Sequence, residues 1–308
     1  MADTNSVLIS EELIADVHAR MIESIDLAQV IHILGMSEEE LRTLYSAAVE
    51  ESRQTLSLLL NIQLAGGSKV LEVGAGFGLA SICLAMMGFD VVALEPGGLG
   101  FEQNRSASMA FASSCDVQIN HVAASAETAD FGTIGKFDLV VSNNVLEHIP
   151  DVDNALTNLN NAINPSGVMI HSCPNYTFPF EPHFGIPLLP FMPRLTRLLL
   201  PKSVEKSGLW NSLNFITQSQ VKRNARVNGM TCLFRAETMS KSIKRLNRDP
   251  QFAERHQTIA RLVKIRFVYA LLVRVFSLPP RFATPMDFIV CAPEQRESSN
   301  VRIWMKSR

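Results

Sequence analysis

Apolar positions in residues 10–34 recur at helical spacing, with Leu13, Ile14, Val17, Met21 and Ile25 on one face. Ser10 suits an N-cap, acidic residues fill the first turn, and Gly35 closes the segment. Ser37 with Glu40 forms a capping box for a second helix. Its apolar face holds Leu41, Leu44, Tyr45, Ala48 and Leu59, and Gly66-Gly67 ends it. From Lys69 the pattern changes. Short apolar runs at 69–74, 90–94, 117–122, 137–142 and 168–173 are separated by stretches of helical periodicity. Such alternation predicts βαβ units and an α/β fold with a parallel, doubly wound sheet.

After Cys173 the alternation stops. Residues 174–201 hold 7 of the 15 prolines, and the early part is aromatic, so an irregular lid is expected. Strand-like runs return at 229–234 and 287–292, with a basic helical stretch between them. The predicted organisation is a helical extension over 1–64 and a ligand-binding core over 65–174. A lid and acceptor-side segment follows over 175–228. Residues 229–293 hold two late strands with an inserted basic cap, and 294–308 form a loose tail.

Net charge changes the picture less than its distribution. The chain carries 28 basic and 30 acidic residues, a formal charge of −2, which argues against a protein built to neutralise nucleic-acid phosphates. Residues 1–60 hold 11 acidic against 3 basic residues, and 241–281 hold 10 basic against 2 acidic. Within the basic region, 259–276 interleaves apolar residues with Arg261, Lys264, Arg266 and Arg274. It reads either as a core helix with solvated arginines or as a helix lying on an anionic membrane. The 5 cysteines form no CxxC pair, no metal-ligand spacing is present, and no metal site is expected. The acidic N-terminus lacks the basic start of a signal peptide, and no uncharged apolar run spans a bilayer, so a cytoplasmic protein is expected.

The densest chemical signal is Glu72-Val-Gly-Ala-Gly-Phe-Gly78, where Gly74, Gly76 and Gly78 follow a strand and open a helix. Glycine permits the tight turn, and helix N–H groups then face a ligand. Leu79 stands where a dinucleotide fingerprint would need its third glycine, which opposes an NAD-dependent oxidoreductase. Glu95 ends the second core strand, where a carboxylate can accept both hydroxyls of a ribose.

Together with FDLVVSNNVLEHIPD at 137–151, these segments resemble the class I S-adenosylmethionine-dependent methyltransferases over roughly residues 65–175 and the two late strands. The resemblance implies a Rossmann-like, seven-stranded sheet with its last strand antiparallel, and S-adenosylmethionine as cofactor. It places Glu72, Gly74 and Gly76 at the methionine end of the cofactor, adds Ala75 and Gly78 of the same turn as cofactor-binding, and puts Glu95 on the ribose and the Asn143 backbone near the methionyl ammonium. Ser125 occupies the position where relatives often carry an acidic or amide group, and Ala126 offers a backbone N–H to the adenine ring. Plainer readings stand beside these: Gly78 as a packing position, Glu72 as a solvated carboxylate, and Glu147 with His148 as residues that dock the following helix.

A methyltransferase need only align an acceptor and exclude water, and an oxygen acceptor also needs a base. The strand end reads SNNV, unlike the NPPY-type motif of amide or adenine methylation, so oxygen or carbon of a small or lipid-linked acceptor is expected. Acceptor contacts are expected from the lid: Tyr176, Phe180, Glu181, His183 and Phe184, with Asn211 and Asn214 also candidates. His183 is the candidate catalytic base, against the alternative that it anchors the loop. A cofactor-binding scaffold without turnover is the competing function.

Overall fold

A computed structural model describes residues 6–97, 103–200, 208–236, 264 and 280–306. The sheet is built from β3 (Lys69–Val73), β4 (Asp90–Leu94), β5 (Asn120–Val122), β6 (Phe137–Asn143), β7 (Ile163–Cys173), β10 (Thr231–Phe234) and β11 (Met286–Cys291). Its order is β10-β11-β7-β6-β3-β4-β5. The β3, β4, β5, β6 and β7 pairings are parallel, and β11 runs antiparallel to both neighbours. This is the expected seven-stranded Rossmann-like sheet with its last strand antiparallel. The order reverses between β3 and β6, and ligands of open α/β sheets bind at the carboxyl ends beside such a reversal.

Successive strand residues feed opposite faces of the sheet. Val70, Val91, Leu139 and Ile170 join one core; Leu71, Val92, Val140 and Met169 join the other. The first core is covered by α1 (Glu11–Ser24), α2 (Leu27–Leu34), α3 (Glu38–Leu58), α4 (Leu79–Met86) and α5 (Asn104–Ser114). The second is covered by α7 (Val152–Ala162) and α9 (Gln218–Val227), with α6 (Phe131–Ile134) alongside.

Four expectations change. The single helix expected over 10–34 is two, because the Asp26 carboxylate caps a new start by accepting from Ala28 and Gln29 N–H. The second helix stops at Leu58, and β2 (Gln63–Ala65) pairs with the N-terminal strand β1 (Ser6–Leu8). The lid contains a small hairpin, β8 (Phe180–Glu181) with β9 (Ile186–Pro187), a 3-10 turn over Pro193–Leu199 and a short helix, α8 (Gly208–Ser212). The tail is not loose: α10 (Ser299–Lys306) buries Val301 and Trp304 fully, and the Trp304 indole N–H donates to the Leu58 carbonyl at 2.7 Å. The stretch 259–276 lies outside the described residues except for Lys264.

Candidate active site

The three glycines of the turn all have positive φ, between 54° and 70°. A Cβ on Gly74 would come within 2.5 Å of Val145, and one on Gly78 within 1.9 Å of the Ser108 hydroxyl on α5. Both positions therefore permit close packing of the turn. Gly76 has nothing within 4 Å of that position. Its N–H donates to Glu95 Oε2 at 2.8 Å, and the Gly97 N–H donates to Oε1 at 3.3 Å. Glu95 so ties the turn to the end of β4.

These residues border a cavity of about 370 Å³. Glu72, Gly74, Ala75, Gly76, Gly78, Glu95, Ser125 and Asn143 all line it. Ala126 does not; it is buried, and its carbonyl accepts from the Asn158 amide on α7. Burial pushes the Glu72 carboxyl up to about 8 despite a short hydrogen bond from Ser81. Burial also raises Glu95, against the stabilising N–H groups of Gly76 and Gly97. The buried Asn143 amide nitrogen has no hydrogen-bond partner among the described residues. The next residue, Asn144, holds a φ of 54°, a strain typical of functional turns.

Further residues line the cavity that the sequence pattern does not mark as binding residues. Glu51, Ser52 and Thr55 form one face of α3, so the N-terminal extension walls the cavity. Glu127 supplies a carboxylate two residues beyond Ser125. His148 and Ser212 bring the 146–148 turn and the lid to the same wall.

The five acceptor-side residues expected from the lid do not line the cavity. Tyr176, Phe215, Trp210 and Phe184 pack ring against ring as the lid's own core, and Phe180 sits in the β8–β9 hairpin. Asn214 does not face the pocket either. Its amide donates to the Leu146 and Ile149 carbonyls at 2.6 and 2.8 Å, and its N–H donates to the Glu147 carbonyl at 2.8 Å. It staples the lid to the turn that carries His148. Asn211 is exposed and does not line the cavity.

Behind this wall lies a cluster of ionisable groups. Glu147 is fully buried, and neither carboxylate oxygen has a hydrogen-bond partner among the described residues. Its Oε1 lies 3.9 Å from His148 Nε2 and 3.8 Å from His183 Nε2. The Ser212 hydroxyl donates to the Leu209 carbonyl at 2.8 Å and pairs with His148 Nδ1 at 2.8 Å. The tautomer with the His148 proton on Nδ1 satisfies both contacts of that hydroxyl, and in it Nε2 presents a lone pair. His183 Nδ1 pairs with Glu181 Oε1 at 2.5 Å; Glu181 also accepts from the Tyr176 hydroxyl and the Phe184 N–H. Burial pushes Glu147 up to about 8 and His148 down to about 4, the latter helped by the neighbouring charge of His183. Burial alone would lower His183, but the hydrogen bond and charge of Glu181, backed by Glu147, raise it.

The chain belongs to the methyltransferase domain family, whose match covers residues 37–247. Sheet order and site together define a class I S-adenosylmethionine-dependent methyltransferase fold. An uncharacterized protein of Mycobacterium tuberculosis is 35% identical over 202 residues, 61% of this chain and 66% of that protein. A ubiquinone biosynthesis O-methyltransferase of Azorhizobium caulinodans is 35% identical over 112 residues, 36% of this chain and 42% of that protein. The chain thus spans less than two thirds of either relative. The S-adenosylmethionine complex of a Haemonchus contortus phosphoethanolamine N-methyltransferase is similar over 81% of this chain and 53% of that one. It shares 13% identity and a TM-score of 0.48, a likeness of fold alone. S-adenosylmethionine is the cofactor of this class, and the residues present fit it. Gly76 leaves the backbone open, Glu95 offers a buried carboxylate at a strand end, and Asn143 offers a buried amide nitrogen with no partner among the described residues.

Proposed function

We propose that this protein transfers a methyl group from S-adenosylmethionine to an oxygen or carbon acid of a small or lipid-linked acceptor. One observation carries the reading: His148 stands on the wall of the cavity that also holds the glycine turn and Glu95, with its Nε2 lone pair free. The cofactor, when bound, supplies an activated methyl group as a sulfonium. The chain's own residues align the acceptor, exclude water and receive its proton. His148 meets the acceptor; His183, oriented by Glu181, lies one ring behind it, with ring centres 5.2 Å apart. In this reading His148 takes the role expected of His183; its basicity, lowered by burial to about 4, suits an acidic acceptor such as a phenol or enol, and His183 acts as a positioning residue.

The name of the Azorhizobium relative supports oxygen over carbon. A lipid-linked acceptor gains support from the lid, where Phe191, Leu198 and Leu199 are exposed beside Arg194 and Arg197. The test is incubation of the purified chain with methyl-labelled cofactor and a cell extract. Label is expected in the small-molecule or lipid fraction, and His148→Asn is expected to lower its transfer ~10²-fold with cofactor affinity intact. Cofactor binding with no label in any fraction would leave a scaffold instead.

A further inference from the structure

We propose that Glu147, His148 and His183 form a binding site for one divalent transition-metal cation of the zinc class, bordering the methyl-transfer cavity. This inference rests on the function just given only for the acceptor, and it revises the base: with a cation bound, His148 Nε2 is a ligand, and the acceptor gives its proton up to solvent as its oxygen meets the cation.

Three observations converge on the site. One ligand atom from each residue lies within 4.8 Å of the other two. Ligands around a tetrahedral zinc sit roughly 3.3 Å apart, so the 3.8 and 3.9 Å separations from Glu147 Oε1 need to shrink by about half an ångström. Second, the Glu147 oxygens are buried without any hydrogen-bond partner among the described residues, a costly state that a cation relieves. Third, each imidazole is braced at its far nitrogen: His148 Nδ1 by the Ser212 hydroxyl, and His183 Nδ1 by the Glu181 carboxylate. That bracing turns both Nε2 atoms toward Glu147. Metal-binding histidines carry this outer partner almost without exception.

Two imidazoles and one carboxylate suit zinc, cobalt, nickel or iron better than magnesium or calcium, which prefer all-oxygen sites. Three protein ligands leave a coordination position open. Because His148 lines the cavity, that position is within reach of an acceptor oxygen, whose anionic form a cation favours. The favoured acceptor class is therefore an oxygen acid such as a phenol or enol. No short sequence motif announces the site, because its ligands come from the turn after β6 and from the lid.

The experiment strips the full chain with a chelator and titrates it with Co²⁺ alone, then displaces Co²⁺ with Zn²⁺. One Co²⁺ per chain is expected, with a visible d–d band that Zn²⁺ abolishes. Glu147→Gln and His183→Ala should each weaken uptake at least ~100-fold, and Glu181→Gln, which removes an outer partner, about 10–100-fold. His32→Ala, exposed on α2, should leave uptake unchanged. If a ligand variant fails to fold, proton NMR of the wild-type Co²⁺ protein decides: two shifted, exchangeable imidazole N–H signals are expected, and fewer overturn the site. Uptake below one per chain, or uptake insensitive to a folded Glu147→Gln, also overturns it. Cofactor affinity and methyl transfer are measured on the same preparations. Stoichiometric Co²⁺ without cofactor binding would sink the methyltransferase function and leave the metal site standing. Full methyl transfer in chelator without Co²⁺ uptake would sink the metal site alone.

Discussion

Gly74 and Gly76 share a motif and a left-handed backbone but face different neighbours. An alanine at Gly74 must displace Val145, whereas one at Gly76 meets open space beside the Glu95 carboxylate. Both substitutions carry roughly 1 kcal/mol of backbone strain. Gly74→Ala is expected to lower stability further, read by urea unfolding. Gly76→Val is expected to weaken cofactor at least ~10-fold in calorimetry while costing less stability; equal affinity would place the cofactor elsewhere. Glu72 makes a pH prediction. Its folded pKa, about 8, stands above its ordinary value of 4.5 because burial outweighs the Ser81 hydrogen bond. The group therefore binds its proton more tightly when folded. That contribution is fully present below about 4.5 and is lost as pH rises through about 8. Glu72→Gln should flatten the fall in unfolding free energy across this window, by at most about 5 kcal/mol. An unchanged pH slope would show that Glu72 ionises normally in the native state. Glu72, Glu95 and Asn143 were legible in the sequence because a strand end and a turn fix them locally. His148 reads from the sequence only as docking the following helix, because its place on the cavity wall, with Ser212 at its Nδ1 and His183 set back beside Glu181, depends on the packed lid.

Helix α3 and the 146–148 turn show what one element contributes when placed by another. The Ser37 cap, helical period and apolar face of α3 were readable, and so was its existence. Its role as a cavity wall was not, since Glu51, Ser52 and Thr55 become a site only when α3 packs beside α4. The 3-10 turn Leu146–His148 depends on the lid in the same way. Asn214 ties it down with three hydrogen bonds to carbonyls. Asn214→Ala leaves two of those carbonyls without this amide, at about 1–3 kcal/mol of stability. Because the turn carries His148, turnover should fall more than cofactor affinity does. A variant with normal turnover would show that the turn holds itself. Helix α10 is hard to read from sequence because its buried face is small: Val301 and Trp304 in an otherwise polar stretch. Trp304→Ala should cost about 3–5 kcal/mol in urea unfolding, the range for emptying an aromatic core site.

Across the whole molecule, the strand alternation and the motif at each strand end carried the fold, because a parallel sheet buries its strands on both faces and leaves unbroken apolar runs. Surface properties are less local, and the lid shows why. Residues 188–201 pair apolar side chains with Arg194 and Arg197, a pattern that fits a packed helix or a surface one. In the structure Phe191, Leu198 and Leu199 are 102%, 72% and 72% exposed, so these three side chains are not core, whereas Leu188 is. No described helix is long and apolar enough to cross a membrane. The sequence at 241–281 adds 10 basic residues against 2 acidic ones. Each basic residue near an anionic leaflet contributes about 1 kcal/mol, screened beyond about 10 Å at 0.1 M salt. An exposed apolar strip adds insertion to that attraction, and neither alone gives stable binding. The protein is therefore expected to sediment with anionic vesicles at low salt and to release at high salt, and to ignore neutral vesicles. Leu198→Glu with Leu199→Glu should abolish sedimentation through loss of insertion. Arg261→Glu, Lys264→Glu and Arg266→Glu together should abolish it through loss of charge. The leucine pair should leave cofactor affinity unchanged, since neither residue lines the cavity, and the same affinity is measured for the charge reversal. If the wild type fails to sediment with anionic vesicles at low salt, the strip faces another partner, and the acceptor is a free small molecule rather than a lipid-linked one.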